Sequence, residues 1–372
     1  MRYTRLDGLR GLLSVMVALN HSFMIVTIPY YASIWGQNIF IFNDLQSKIQ
    51  QILMLLGNGG LAVSLFFVLS GLVLVESSQK WELTLLNTLT FYGRRFLRLY
   101  PVYAFLIVIT AIYIWSGFSY EQFSAASPWF LWWMNFKMTF KELLFNLSLI
   151  HIYIGGVTWT LRVILVASAF FPLMLYLSKK LPLIANILII ALLAWGSFGF
   201  LELPNFIDLR FLFMFYLGTI LPKFKKNFSS TPAIWINLLI LPLLFAALYF
   251  RYLFDIYYAS LAESIFAFFL LGQITYNEKL DVFKFLENQL FKFLGKISYS
   301  LYLVHFSVLY VLARLSFQHF SPALLLNNYL VTHVILFVVS LVLATAVSTL
   351  MYHFIEMPSH SLSRKIKNNP HS

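Results

Sequence analysis

Ten apolar stretches, each about the length needed to cross a lipid bilayer, follow one another along the 372 residues of this chain. A transmembrane helix requires about 17–25 mainly apolar residues, and lipid requires every backbone polar group to be paired within the protein. Short polar segments containing Pro, Asn and Lys separate the stretches. We therefore predict an all-α polytopic integral membrane protein with about ten transmembrane helices. The predicted spans lie near 9–28, 52–75, 99–117, 158–178, 183–200, 206–222, 233–250, 256–274, 297–314 and 330–354.

The composition agrees with a protein that has lipid as its solvent. Hydrophobic residues make up 60% of the chain and charged residues 11%, whereas soluble domains have about 45–50% and about 25%. The chain has no cysteine, which excludes disulfides, thiolate metal ligands and a cysteine nucleophile. Its eight histidines are scattered, without the paired spacing of a zinc site, so no metal is expected.

The basic residues are distributed unevenly between the two sides of the predicted membrane domain. When alternate connecting segments are counted, 19 of the 26 Lys and Arg residues fall on the side that carries the N-terminus. Positive charge is retained on the cytoplasmic side of membrane proteins, so we predict that both termini are cytoplasmic. The net charge of +12 is then a signal of topology, and no nucleic-acid partner is expected.

We expect one transmembrane domain over residues 1–358 and a short basic cytoplasmic tail over residues 359–372. A cleaved signal peptide is the alternative interpretation of the first apolar stretch, because basic residues precede it. Asn20 and His21 interrupt that stretch, and no small-residue cleavage site follows it, so we favour a retained helix.

The first span contains two ionisable side chains, which are costly at membrane depth and usually face a cavity. Arg10 and His21 are eleven residues apart, and eleven steps of about 100° bring both side chains to one helix face. The axial separation is about 16 Å, which would place Arg10 at the cytoplasmic edge and His21 about halfway across. His21 is thus a candidate functional residue, and a structural histidine is the alternative.

A second group of charges precedes the third span, in the run Tyr92 to Arg98. On a helix, Arg98 lies about one turn from both Arg94 and Arg95, so the guanidinium groups would lie together. Guanidinium groups bind phosphate oxygens in pairs and keep their charge. Because the chain has no glycine-rich phosphate loop, such clusters are its visible means of binding a polyphosphate. Simple contact with lipid headgroups is the alternative.

The ninth span carries a polar stripe. Ser298, Tyr302 and His305 occupy positions i, i+4 and i+7, which share one face of a helix. Such a stripe either lines a functional cavity or joins neighbouring helices by hydrogen bonds. Further ionisable candidates are Glu202, Asp208, Arg210, Glu263 and Glu356.

The longest predicted outside loop, 118–157, has room for a short interfacial helix. It carries Trp129, Trp132 and Trp133. Aromatic residues in such a loop either belong to the interfacial belts and packed cores of membrane proteins or line a ligand cavity, and we favour the first interpretation.

Four ordered motifs resemble those of the membrane-bound acyltransferase family 3, which O-acylates bacterial surface carbohydrates among other acceptors. They are similar to the family's Arg-x10-His opening, its FFxLSG motif, its RxxR-x-YP element and the SYSLYLxH of a late span. In chain order the matching segments are Arg5–Leu12 with His21, Phe66–Gly71, Arg95–Pro101 and Ser298–His305. The resemblance extends over residues 5–358, without the esterase-like domain that is fused to some relatives.

The resemblance implies a membrane O-acyltransferase that moves an acyl group, expected to be acetyl, from cytoplasmic acyl-CoA to a hydroxyl of a carbohydrate. The acceptor would be a cell-surface or lipid-linked carbohydrate such as lipopolysaccharide O-antigen or exopolysaccharide, and the location the bacterial inner membrane. Acyl-CoA is a co-substrate, and no tightly bound cofactor is expected. The implied site comprises catalytic His21, donor-binding Arg10, Arg95 and Arg98, and cavity-lining candidates Ser70, Trp159, Tyr302 and His305.

Two positions depart from the family's pattern. An acidic residue often lies five positions after the Trp of the WTL motif, and in this chain Ile164 follows Trp159 at that distance. An acidic residue also commonly precedes LFF, where this chain has Ser64. We therefore carry over no carboxylate role at either position.

A multi-span transporter or flippase for a glycan or lipid-linked substrate is the competing interpretation. Polar residues within membrane helices also line the substrate pathways of transporters. However, no repeat relates the two halves of the sequence, and Gly/Pro interruptions do not recur at matching positions. A non-catalytic scaffold is disfavoured because Arg10 and His21 share one helix face.

Because the chain has no cysteine, single introduced cysteines test the predicted orientation directly. We expect Lys225→Cys to react with a membrane-impermeant maleimide only after permeabilisation of the cells. Lys137→Cys, on the opposite predicted side, is the matched control and should react in intact cells. Labelling of residue 225 in intact cells would contradict the cytoplasmic assignment.

Overall fold

The structure is a computed structural model of the chain. The residues that it describes are 4–27, 44–79, 81–116, 121–134, 136–197, 207–230, 232, 240–249, 256–277 and 281–366. Within these ranges the backbone is overwhelmingly helical and forms no β-strand, although an isolated antiparallel bridge pairs Val26 with Ala126. The predicted all-α class is therefore confirmed.

Most of the longer helices are rich in apolar residues. In chain order the helices are α1 (Thr4–Ser22), α2 (Leu45–Leu56), α3 (Gly59–Ser77), α4 (Leu85–Trp115), α5 (Pro128–Trp132), α6 (Phe140–Leu147), α7 (Thr158–Lys180), α8 (Leu183–Gly196), α9 (Leu212–Ile220), α10 (Lys225–Ser230), α11 (Ile240–Tyr249), α12 (Ile256–Tyr276), α13 (Gln289–Lys296), α14 (Ser298–His319), α15 (Pro322–Asn327), α16 (Tyr329–Met351) and α17 (Met357–Lys365). Three 3-10 segments (Ile207–Phe211, Leu221–Phe224 and Asp281–Glu287) and a π-helical turn (Tyr352–Glu356) complete them.

Six helical stretches in the described residues are long and apolar enough to cross a membrane, which supports a polytopic protein. They are Leu45–Ser77, Leu85–Trp115, Thr158–Lys180, Tyr258–Tyr276, Ser298–His319 and Tyr329–Lys365. Three of the other predicted spans correspond to the shorter helices α8, α9 and α11. The nine residues of α9 cover only about 14 Å at 1.5 Å per residue. The number of spans and their orientation stay predictions.

Helix α1 begins and ends earlier than the predicted span at 9–28. It has 19 residues and ends at Ser22. The chain beyond it pairs with the segment before α5, where Thr27 and Ser127 each donate a backbone N–H across the pairing at 2.9 Å. This pairing takes the backbone out of the helix. His21 consequently lies in the last turn of α1, and its depth in the membrane stays a prediction.

Helix α16 has a buried face that carries polar residues and an exposed face of apolar residues. Its buried residues include His333, Ser340 and Ser348, which recur every seven or eight positions on one face. Large apolar side chains, such as Val338 and Val342, are exposed on the remaining surface. Polar residues thus face the protein and apolar residues face outward, which is the arrangement that a bilayer favours.

The central helices approach so closely that a side chain does not fit between them. A Cβ added to Gly71 on α3 would lie 2.1 Å from the carbonyl oxygen of Phe215 on α9. A Cβ added to Gly218 on α9 would lie 2.1 Å from the carbonyl oxygen of Val68. Small residues at membrane helix interfaces allow this backbone contact and the dispersion energy that accompanies it.

The C-terminal end of the chain is a docked helix in the part that the structure describes. The predicted boundary at 358/359 falls inside α17, which continues from α16 through the π-helical turn and contacts α4. Arg94 of α4 donates from Nε and Nη2 to the carbonyl oxygen of Ile366, at 3.0 and 2.5 Å. Residues 367–372 of the predicted tail lie outside the described residues.

We expect Gly71→Val to destabilise the protein by about 1–3 kcal/mol or more, because the added side chain meets a backbone oxygen that cannot rotate away. Gly196→Ala is the matched control, since a Cβ at Gly196 meets no atom within 4 Å. Thermal denaturation of the detergent-purified variants, followed by size-exclusion chromatography, measures the difference. An unchanged midpoint for Gly71→Val would contradict the close packing of α3 and α9.

Candidate functional site

A cavity of about 190 Å³ lies between α1, α3, α4, α7, α14 and the π-helical turn. Six of its polar lining residues come from five different segments of the chain. They are Arg10, Ser70, Arg95, Arg98, Tyr302 and Glu356. Apolar side chains of α3 and α7 supply much of the remaining wall.

Three arginines, all of them predicted to bind the donor, line this one cavity. Arg10 reaches it from α1, and Arg95 and Arg98 reach it from successive turns of α4. Arg95 donates from Nε to Ser168 Oγ at 3.1 Å, which orients its guanidinium. Arg10 Nη1 lies 4.0 Å from Asp7 Oδ1. Their convergence concentrates positive charge at a site large enough for part of a ligand.

Glu356 places a carboxylate beside these arginines. It ends the π-helical turn, and Ser300 of α14 donates to its Oε2 at 2.5 Å. Turns of π-helix are frequently found at functional sites because they re-aim side chains. The sequence marked Glu356 only as an ionisable candidate, because its approach to Arg10 and Arg98 depends on how α16 and α17 pack.

A pair of histidines lies at the C-terminal end of α1. His21 Nδ1 and His305 Nε2 are 3.0 Å apart, and the two rings are nearly parallel, with an interplanar angle of 14°. His305 is buried, whereas His21 is partly exposed. The rings of Trp129 and Phe306 lie 5.4 and 5.7 Å from the His21 ring, between centroids. An aromatic wall therefore surrounds the imidazole of His21.

Trp129 reaches His21 because the segment before α5 is tied to the end of α1. Ser127 caps α5 by accepting from the Phe130 N–H at 3.1 Å, and its hydroxyl donates to the Met24 carbonyl at 2.5 Å. Trp129 and Trp133 are buried, and Trp132 is exposed. Trp129 and Trp133 thus pack in the protein core, which is one of the two structural roles expected of them, although residue spacing does not reveal the long-range contact with His21.

Tyr302 separates the arginine cavity from the histidine pair. It lines the cavity, and its ring centroid lies 5.9 Å from that of His305. In the described part of the chain, His21 and His305 are not among the residues that line the cavity. His305 lies one turn beyond Tyr302 on α14 and is directed towards α1. The cavity and the pair are therefore neighbours, joined through one tyrosine ring.

Of the remaining cavity-lining candidates, Ser70 lines the cavity and Trp159 does not. The Ser70 hydroxyl donates to the Phe66 carbonyl of its own helix at 2.8 Å. Trp159 packs instead against Phe67 and Phe211, with ring centroids 6.3 and 5.4 Å away. Its position in the first turn of α7 directs it towards α3 and the 3-10 segment before α9. The structure thus gives Trp159 a packing position behind the cavity wall.

The family pattern has an acidic residue at two positions where this chain has Ser64 and Ile164. A carboxylate from another helix reaches the first of these positions. Ser64 of α3 donates to Glu263 Oε2 of α12 at 2.7 Å, and Glu263 is fully buried. At the other position, the apolar Ile164 lines the cavity. Only the packing of α12 against α3 reveals that the first position has a carboxylate partner.

Within the described ranges, no group of three or more His, Cys, Asp or Glu side chains is arranged to hold a metal ion. The candidates Glu202 and Asp208 lie outside the residues whose side chains the structure describes.

Comparison with known proteins adds one match. A family model described as an acyltransferase domain matches residues 3–353 of the chain. No curated protein and no solved structure matches it. The matched range contains both histidines of the pair and all three arginines of the cavity, whereas Glu356 lies just beyond its end.

Proposed function

The chain belongs to the acyltransferase family whose domain model matches residues 3–353, and we propose that it is an O-acyltransferase that uses cytoplasmic acyl-CoA. The transferred group is acetyl, and the acceptor is a hydroxyl of a cell-surface or lipid-linked carbohydrate in the bacterial inner membrane. Lipopolysaccharide O-antigen and exopolysaccharide are acceptors of this class. The observation that carries the proposal is the arginine-lined cavity directly beside the histidine pair.

The charges of the cavity suit the phosphates of coenzyme A. Arg10, Arg95 and Arg98 meet there, and Glu356 supplies one opposing charge. Cations within a membrane domain are costly unless anions compensate them, so a bound polyphosphate would lower the energy of this cluster. Guanidinium groups also hold phosphate oxygens in defined orientations. The pantetheine arm would then extend past Tyr302 towards His21.

His21 is placed to remove the proton of the acceptor hydroxyl. The hydroxyl oxygen attacks the thioester carbonyl carbon, its proton passes to His21, and the carbon–sulfur bond breaks. The thiolate of coenzyme A takes that proton, which regenerates neutral His21 and yields an ester and a free thiol. A positioned base of this kind contributes about 10²–10⁴-fold to the rate.

The aromatic wall around His21 supports a carbohydrate acceptor. Trp129 and Phe306 meet edge to face, with an interplanar angle of 82°, and both rings lie beside His21. Aromatic side chains provide rigid apolar surface with a defined geometry, which suits the apolar face of a sugar ring. The hydroxyl to be acylated would then lie next to the imidazole.

We expect His21→Ala to lower acyl transfer by about 10²–10⁴-fold, because it removes the base and leaves the arginine cavity intact. Purified protein in lipid nanodiscs is incubated with radiolabelled acetyl-CoA and a lipid-linked glycan, and acylated product is counted. His319→Ala, at the exposed end of α14, is the matched control and should retain full transfer. Near-wild-type transfer by His21→Ala would refute the catalytic assignment.

Substitution of the cavity arginines tests donor binding. Arg95→Gln and Arg98→Gln should each weaken acetyl-CoA binding by about 10–100-fold, since hydrogen bonds to charged groups contribute about 1.5–3 kcal/mol. Equilibrium binding of radiolabelled acetyl-CoA to the purified variants measures this change.

Arg94→Gln is the control from the same motif, because Arg94 binds the Ile366 carbonyl. It should leave donor affinity unchanged. If all three variants bind acetyl-CoA as tightly as wild type, the arginines are lipid anchors and the donor site lies elsewhere.

A further inference from the structure

The hydrogen bonds of the histidine pair determine where its protons lie. His21 Nδ1 and His305 Nε2 are 3.0 Å apart, so one of these nitrogens carries a hydrogen and the other accepts it. Two arrangements satisfy this contact. In the first, His21 donates and keeps a lone pair on its own Nε2. In the second, His305 donates and the Nε2 of His21 carries the hydrogen, which would prevent that nitrogen from accepting a proton.

A backbone carbonyl distinguishes the two arrangements. His305 Nδ1 lies 3.2 Å from the carbonyl oxygen of Leu301, one turn earlier on α14. A carbonyl oxygen only accepts hydrogen bonds, so this contact requires the hydrogen of His305 to be on Nδ1. A neutral imidazole has one such hydrogen, and the Nε2 of His305 is therefore an acceptor. His21 must then donate from Nδ1, which leaves the lone pair on its Nε2.

We propose that His305 is a positioning residue that holds His21 in the tautomer whose Nε2 accepts the proton of the acceptor hydroxyl. This inference rests on the proposed function, in which His21 is the base. His305 itself does not touch the reacting atoms. It also stabilises the transient imidazolium of His21, because its Nε2 accepts from the Nδ1–H throughout the step.

The surrounding packing keeps the two rings in register. Ser14 of α1 donates from Oγ to the carbonyl oxygen of Ser298 on α14 at 3.1 Å, which ties the two helices together near the start of α14. Phe306 meets the His21 ring edge to face at 87° and restricts its rotation. His305 is 1% exposed, so its imidazole is held away from bulk solvent.

Proton transfer at the pair is balanced in this scheme. The acceptor O–H bond breaks, and its hydrogen forms a bond to His21 Nε2. The electron pair of that O–H bond forms the new oxygen–carbon bond, and the electrons of the carbon–sulfur bond leave with the thiolate. The hydrogen on Nε2 then moves to the thiolate, so both histidines end in the tautomers in which they began.

Three substitutions of His305 separate positioning from packing. The Oε1 of Gln lies close to the position of a histidine Nε2 and accepts the same hydrogen bond, whereas Asn is one methylene too short and Leu has no acceptor. In full-length protein in nanodiscs, we expect His305→Gln to keep kcat within about tenfold of wild type. We expect His305→Asn and His305→Leu to lower kcat by about 10²-fold or more. The KM for acetyl-CoA should stay within about twofold in all three, because the arginine cavity is unchanged.

The outcomes distinguish this inference from the function on which it rests. If Asn and Leu variants match the Gln variant while His21→Ala is inactive, His21 is the base and His305 has no positioning role. If Gln is as poor as Leu, an acceptor atom at that position is insufficient and the inference fails. If His21→Ala retains transfer, the proposed function fails first. Should His305→Leu not fold, the Gln and Asn pair still decides, since both bury an amide and differ only in reach.

Discussion

The energetic cost of placing polar groups in lipid organises this protein. Lipid does not compensate a buried charge, so each such side chain must face another part of the chain or a cavity. Glu263 meets Ser64 between two helices, and three arginines meet in one cavity. The helices that carry these groups cannot rotate without exposing them to lipid. Their orientation is therefore constrained by polar contacts as well as by shape.

Close backbone contact gives the polar sites a rigid frame. Gly71 and Gly218 bring α3 and α9 together with no side chain between them. Helix α3 forms one wall of the arginine cavity, and α14 carries both Tyr302 and His305. Because the cavity and the histidine pair share α14, Tyr302 lies between the arginines and His305 along this helix. The proposed division into a donor region and a reaction region follows from this order of residues.

Much of the site was predictable from helical spacing. The eleven residues between Arg10 and His21, and the i, i+4, i+7 stripe from Ser298 to His305, each define one helix face, and the structure shows those faces directed inward. Local spacing did not predict that α1 ends at Ser22, because the backbone pairing that follows it involves residues about one hundred positions later. For the same reason the sequence did not predict the contact between Trp129 and His21, which lies far away in the chain.

Bilayer length and helical period are local properties, so the amino-acid sequence alone indicates the membrane environment, the all-α class and the scarce ionisable residues. The tertiary structure decided which of those residues meet. It placed Glu263 at Ser64, Glu356 beside the arginines, and His305 at a hydrogen-bonding distance from His21. Each of these contacts joins helices that are distant in the chain, and their geometry depends on how the helices cross. Only that crossing reveals which nitrogen of His21 faces His305.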